Sequence, residues 1–228
     1  MESNSHNLAD MRISYEKFEL TEESLAKTPL DQFNLWLADA IAAGTEAIPE
    51  PNAMVLSTAT ESGEVHSRTV LLKSLSETGL VFFTNYQSQK AQDMQKNSKV
   101  SVVFPWYVLH RQVIVTGTVA RVSREESAAY FASRPYKSQL AAHISEQSSL
   151  IENRQVLEMQ MQSLECQFPE GTAIALPDHW GGYLITVQSI EFWQGRRSRL
   201  HDRLKYVRTN ESGLLNQADA WQVTRLSP

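Results

Sequence analysis

A scattered set of cations stands out in this chain. Arg68, Lys73, Lys90, Arg134, Arg199 and Arg203 all fall at the ends of predicted strands or helices. Tyr130, Ser138 and Ser148 lie near some of them. Arg, Tyr and Ser are donors that suit phosphate oxygens. The set is too large for one phosphate and suits two phosphorylated ligands. A charged hydrogen bond contributes about 1.5–3 kcal/mol, so three or four per phosphate give micromolar or tighter binding after the costs of association. Near the end of the chain, Glu191-Phe192-Trp193-Gln194-Gly195 reads as a buried strand, and Arg199-Leu200-His201-Asp202-Arg203 alternates. In an extended chain, side chains two apart share a face. Arg199, His201 and Arg203 then line one side, with Leu200, Asp202 and Leu204 on the other. Two guanidiniums flanking an imidazole are poor core material. They make sense with something anionic or electron-rich in front of them. The plainer reading is a solvated edge strand.

Composition narrows the chemistry. The chain has 228 residues and a net charge of −5, so an anion site must be a local basic patch on an acidic background. That balance disfavours nucleic acid. Cys166 is the only cysteine, which leaves no intrachain disulfide and suits a reducing cytoplasm. Met1–Asp10 lacks the basic start and apolar run of a secretory signal, and no apolar stretch approaches the roughly 20 residues of a membrane helix. There is no Gly-x-Gly-x-x-Gly, no P-loop and no Gly-x-Ser-x-Gly elbow. The histidines show no metal-ligand spacing, so no metal is expected.

The elements that must position these residues follow from local pattern. Residues 1–27 are polar and are expected to form a mobile arm, with 28–228 as one domain. Thr28-Pro29-Leu30-Asp31 opens a helix, with Thr28 as cap and Pro29 at the first helical position. Phe33, Trp36, Leu37, Ala40 and Ile41 supply its apolar face, and Gly44 a stop. Ala53–Thr60, Val65–Lys73, Leu80–Asn85, Val100–Trp106 and Arg111–Val122 read as strands with short hairpin turns. That predicts an antiparallel sheet closed into a barrel, with flanking helices. In a regular strand Arg68 and Lys73 have opposite parity, so they face different sides or different ends of one ligand. Lys90 follows a strand and starts a helix, where backbone N–H groups and a cation can hold a phosphate together. Ser123 and Glu126 form a capping box, and Tyr130 and Arg134 share a face of the helix it opens. A second box, Ser149 to Glu152, places Gln147 and Ser148 just before another helix. Leu150, Leu157, Met161, Leu164 and Phe168 are read as that helix's core stripe. Tyr183–Trp193, Tyr206–Arg208 and Trp221–Leu226 read as closing strands.

Arg68-Thr69-Val70-Leu71-Leu72-Lys73, Phe83-Thr84-Asn85, Arg111-Gln112-Val113, Tyr130-Phe131-x-Ser133-Arg134-Pro135, Ser138-Gln139, Gln147-Ser148-Ser149, Trp180-Gly181-Gly182 and Glu191–Gly195 with Arg199–Arg203 recur in one order from about Thr28 to Pro228. Each motif alone is weak. The ordered set resembles the pyridoxamine/pyridoxine 5′-phosphate oxidase family. The resemblance implies a split β-barrel of mainly β structure with flanking helices (α+β), binding FMN at a homodimer interface. It implies oxidation of pyridoxamine 5′-phosphate and pyridoxine 5′-phosphate to pyridoxal 5′-phosphate. A hydride passes from the 4′ carbon to the flavin, and O2 reoxidises the flavin to give H2O2. An amine gives an imine that water hydrolyses; an alcohol gives the aldehyde directly.

By the same resemblance, Arg68, Lys90, Gln147 and Ser148 hold the phosphate and ribityl end of FMN. Thr69, Val70, Leu71, Leu72, Lys73, Phe83 and Thr84 line the flavin, and Gln112, Trp193 and Arg203 complete its site. Lys73, Tyr130, Arg134 and Ser138 take the substrate phosphate. Arg199 and His201 lie over the pyridine ring as catalytic residues, and Arg12 and Tyr15 match lid positions. Two residues depart from the family. Gln89 stands where an arginine is common and can still donate a hydrogen bond to the cofactor, but without charge, and Phe83 stands where a tyrosine is common. Losing one cation and one hydroxyl implies weaker FMN retention without loss of activity. The rival readings are another flavin oxidoreductase of this fold, a pyridoxal phosphate carrier without flavin, and a nucleic-acid binder using Arg196–Arg208.

Overall fold

The computed structural model describes Tyr15 and residues 18–228. The first helix, α1 (Pro29–Ala42), is opened by Thr28, whose hydroxyl accepts from the Asp31 N–H. Its inward residues Phe33, Trp36 and Ala40 are buried. Phe33 meets Phe104 edge-on at 4.9 Å, and Trp36 meets Phe192 at 5.2 Å. Arg111 reaches across this seam, donating to Asp39 at 2.6 Å and to Gln194 at 2.8 Å.

Among the described residues, nine strands form a single antiparallel sheet: β1 (Ala53–Ala59), β2 (Val65–Leu71), β3 (Ser74–Ser76), β4 (Gly79–Asn85), β5 (Lys99–Trp106), β6 (Arg111–Arg121), β7 (Trp180–Gln194), β8 (Asp202–Arg208) and β9 (Trp221–Arg225). The main path runs β2-β1-β5-β6-β7-β4-β3, with β8 and β9 branching from β7. The path begins with β2 and ends with β3, which Leu72 and Lys73 join in sequence. The sheet therefore curls into a split barrel around Leu56, Phe82, Phe104, Val115, Ile185 and Phe192. The strand read as Val65–Lys73 stops at Leu71, and a short β3 follows that the pattern did not show. Leu72 turns into the core.

The long strand β7 serves two partners. Its first half pairs with β4 and its second with β8, while β6 runs along its other edge. The β6–β7 register shifts between Thr116 and Gly117, leaving Gln188 as the extra residue. That bulge lies where β7 changes partner, and a bulge supplies the needed bend.

A helical layer covers one end of the barrel: α2 (Gln89–Lys96), α3 (Arg124–Ala132), α4 (Tyr136–Ile144) and α5 (Arg154–Gln167). Ser123 caps α3 as its box predicts, accepting from Glu126 N. The Ser149 box does not open a helix. Asn153 caps α5 by accepting from Val156 N, so the helix starts two residues after Glu152. The stripe assigned to α5 is not core either, because α5 has no buried residue and Leu150 is fully exposed. Residues 18–27, expected within a mobile arm, are tied to the sheet. Leu20 is buried, its N–H donates to Asp202, and Glu22 pairs with Arg225 at 2.7 Å. Residues 1–14 lie outside the described residues. Among the described residues, no helix is long and apolar enough to cross a membrane.

The bulge also makes a testable demand. A Cβ on Gly117 would lie 2.2 Å from the Thr186 carbonyl oxygen, a main-chain atom that cannot swing aside. Gly117→Ala is expected to lower the unfolding free energy by about 1–3 kcal/mol. A urea melt with an unchanged midpoint would contradict this.

Candidate active site

Between β2, β4 and the helical layer lies an open cavity of about 890 Å³. It brings together residues spread from Arg68 to Trp180. At one end stand Arg68, Lys90, Gln147 and Ser148, with Thr84 and Gln89. Along the walls are Thr69, Val70, Leu71 and Phe83. Lys73, Tyr130, Arg134 and Ser138 are also on the lining. Arg68 and Lys73 thus share one cavity despite their opposite parity, because the strand ends between them.

Lys90 is the most constrained of these cations. It projects from the first turn of α2 and is buried. Its Nζ donates to Gln147 Oε1 at 2.8 Å, and to the hydroxyls of Thr84 and Ser88 at 3.2 Å. Burial, then the nearby Arg68 charge, lowers its pKa to about 8. Burial also lowers the Arg68 pKa, with Asp93 opposing. The loop after α4 closes this end. Asn85 Nδ2 donates to the Ser145 carbonyl at 2.8 Å, holding the loop on β4. Ser148 sits at φ +78°, a conformation that costs a non-glycine residue about 1 kcal/mol or more. Its hydroxyl accepts from Gln89 N at the start of α2. Gln147 and Ser148 therefore serve the N-terminus of α2, not that of the following helix.

Arg134 lines the same cavity. Its guanidinium lies over Trp180, 4.6 Å from the ring centroid. Its Nη1 is buried and, among the described residues, has no hydrogen-bond partner. Burial lowers the Arg134 pKa, and Tyr130 opposes that. Tyr130 stacks on Phe83 at 4.0 Å, and Phe83 on Trp180 at 5.5 Å. Trp180 is thus a lining residue that sequence reasoning quoted only as part of a motif. Its signal was the Gly-Gly pair that follows it. Ser133, Pro135, Ser145 and Asn85 also line the cavity without having been singled out for it.

Leu72 and Arg12 aside, the remaining expected site residues form a second cluster that does not line this cavity. Gln112, Trp193 and Arg203 are cross-strand neighbours on β6, β7 and β8. Directly opposed residues point to one face. The alternate residues Val113, Phe192 and Leu204 are buried, so this face is the one away from the core. The alternation assigned to Arg199, His201 and Arg203 does not hold. Residues 197–199 make a single 3₁₀ turn, with Ser198 and Arg199 at φ +56° and +62°. Arg203 is engaged by Glu191, with bonds of 2.7 and 3.1 Å. His201 packs on Trp193 at 4.6 Å and on Tyr15 at 5.8 Å. Arg196 N–H donates to His201 Nδ1 at 3.0 Å, so the neutral ring carries its proton on Nε2. Burial and the Arg199 charge lower its pKa. Tyr15 also lies 4.4 Å from the His110 ring, in space left by Gly195, where a Cβ would meet Tyr15 at 2.7 Å. Arg12 lies outside the described residues.

Residues 41–167 match the family model of pyridoxamine 5′-phosphate oxidase. Residues 180–228 match the pyridoxine 5′-phosphate oxidase C-terminal dimerisation region. The pyridoxine/pyridoxamine 5′-phosphate oxidase of Streptomyces avermitilis is 47% identical, covering 98% of this chain and 97% of its own. That of Teredinibacter turnerae is 48% identical, covering 97% and 100%. Among solved structures, PhzG from Burkholderia lata 383, in complex with tetrahydrophenazine-1-carboxylic acid, superposes with a TM-score of 0.82 at 25% identity, covering 95% of this chain and 100% of that one. A pyridoxamine 5′-phosphate oxidase-related, FMN binding protein from Nostoc punctiforme shares the fold, with a TM-score of 0.67 at 16% identity over 90% and 100% of the two chains. With most of its length matched by the two models together, this chain belongs to the pyridoxamine 5′-phosphate oxidase family.

Proposed function

We propose that this protein oxidises pyridoxamine 5′-phosphate and pyridoxine 5′-phosphate to pyridoxal 5′-phosphate, using FMN, as a homodimer. The observation that carries the reading is one cavity lined by Arg68, Lys90, Gln147 and Ser148 and also by Lys73, Tyr130, Arg134 and Ser138, with a buried Arg134 nitrogen that has no partner among the described residues. The donors fit FMN. Arg68, Lys90 and the Ser148 hydroxyl suit its phosphate, and Val70, Leu71 and Phe83 offer apolar surface to a planar ring. Bound there, FMN would supply the redox chemistry, accepting a hydride from the substrate's 4′ carbon and passing electrons to dioxygen to give hydrogen peroxide.

The protein's own part is alignment and charge. Arg134, with Lys73, Tyr130 and Ser138, would bind the substrate phosphate and fix where the pyridine ring lies. Arg199 would stabilise charge that develops on the substrate, and His201 would donate from Nε2. Those two lie in the second cluster, within the stretch matched to the dimerisation region. A two-fold pairing that brings the partner's second cluster to this cavity would complete the site. Gln112, Trp193 and Arg203 would then reach FMN from across the interface. The donor set also weighs against a flavin enzyme that lacks a substrate-phosphate pocket, because Arg134 would have no anion to meet.

The test is a visible spectrum. The purified protein is expected to show oxidised flavin absorption. Pyridoxamine 5′-phosphate added without oxygen should bleach it, and air should restore it. A colourless protein that takes up no FMN, or a flavin that stays oxidised, would sink the proposal. Arg199→Glu should slow the bleaching far more than it weakens FMN binding.

Lys90 gives the pH dependence its sign. Its ammonium is charged below about pH 8 and neutral above it. A phosphate dianion favours the charged form, so FMN affinity should be level near pH 7 and fall as pH rises. The loss should reach up to roughly tenfold by about pH 9. Lys90→Met should bind FMN more weakly and without that slope. Equal slopes in the two proteins would show that another group titrates.

A further inference from the structure

A buried carboxylate stands behind the cavity and belongs to neither donor group. Asp93 lies on the inward face of α2, one turn beyond Gln89, and is 2% exposed. Its Oδ2 accepts from the Thr58 hydroxyl at 2.7 Å and lies 3.0 Å from His66 Nδ1. Its Oδ1 accepts from the Gln89 amide at 2.9 Å. Arg68 Nη2 is 4.0 Å away. Burial pushes the Asp93 pKa up, but the hydrogen bonds from Thr58, Gln89 and His66 outweigh it and hold the pKa below the ordinary value.

A hydroxyl has one proton to give, and Thr58 gives it to Asp93. The lone pairs of Thr58 are left for Arg68, whose Nη1 donates to that oxygen at 2.8 Å. The same nitrogen donates to the carbonyls of His66 at 2.9 Å and Leu56 at 3.3 Å. One carboxylate therefore organises β1, β2 and the start of α2 behind the cradle. It also holds the Gln89 amide, so one of this side chain's two N–H donors is directed to Asp93.

We propose that Asp93 is the positioning residue of the phosphate cradle. It fixes Arg68 through the Thr58 hydroxyl, and it leaves Arg68 and Lys90 as the cations that meet the FMN phosphate. The inference rests on the flavin reading above. Charge alone and geometry make opposite demands. A negative charge behind an anion site repels the anion, so removing it should tighten binding. If Asp93 acts by aiming Arg68, removing it should loosen binding, and only for a ligand that carries the phosphate.

Riboflavin has the same ring and ribityl chain without the phosphate, so it separates aim from general damage. FMN and riboflavin are titrated separately into protein stripped of flavin, following quenching of flavin fluorescence. Wild-type protein should prefer FMN. In Asp93→Ala and in Thr58→Val, FMN affinity should fall at least about tenfold, while riboflavin affinity stays within about twofold. Asp93→Asn keeps an oxygen for the Thr58 proton and should retain most of the preference. Equal losses for both flavins, or FMN binding unchanged or tighter in Asp93→Ala, would overturn the inference. If Asp93→Ala does not fold, Thr58→Val decides by the same criteria. A wild-type protein that binds both flavins equally well refutes the cradle assignment, and this inference with it. One that binds neither overturns the flavin reading as well.

Discussion

Two cations placed side by side, out of full contact with water, are the constraint on which this site depends. Burial disfavours the charged forms of Arg68 and Lys90, and the Arg68 charge further disfavours that of Lys90, while Asp93 partly offsets the cost at Arg68. The protein offers Lys90 the oxygens of Gln147, Thr84 and Ser88. Neutral acceptors orient an ammonium without cancelling its charge. Arg134 shows the same condition more plainly, with a buried nitrogen that meets no group among the described residues. Leaving such a donor unpaired costs about 1–3 kcal/mol, which a bound anion would relieve. The elements around the cavity can each be traced to this need. The antiparallel pair β1–β2 carries Arg68, the first turn of α2 carries Lys90, and the Ser145–Ser148 loop is pinned to β4 by Asn85.

The second cluster has a different logic. Trp193, His201, His110 and Tyr15 pack as rings on the outer face of the sheet, where a globular protein gains little by placing them. Arg196 holds His201 from the main chain, fixing which nitrogen can donate. Under the proposed function, both features are used only when a second copy supplies the cavity they face. Dimerisation would then be part of the active site's construction and not only a source of stability.

Some of this was legible in the sequence because its causes are local. Thr28 and Ser123 cap helices through bonds three residues away, and the antiparallel strands follow from alternation and short turns. The donors lining the cavity were visible as residue types, and the resemblance supplied their grouping. What failed was pattern without its context. Ser149 and Glu152 fit a capping box, yet Asn153 offers the cap that forms. The alternation in Arg199–Arg203 presumes an extended backbone, and Ser198 and Arg199 take positive φ instead. Lys73 shares the cavity with Arg68 because β2 ends at Leu71, which residue parity cannot show. Asp93 and Thr58 are far apart in sequence and carry no motif, so only their three-dimensional contact reveals them.

The central claim is that each chain holds two phosphates in two distinct places. Phosphorus NMR of the protein loaded with FMN and pyridoxal 5′-phosphate tests it most directly. Two bound resonances per chain are expected, with Lys90→Met disturbing the FMN signal and Arg134→Met the other. A single bound resonance, or one signal disturbed by both substitutions while the other stays fixed, would contradict the account.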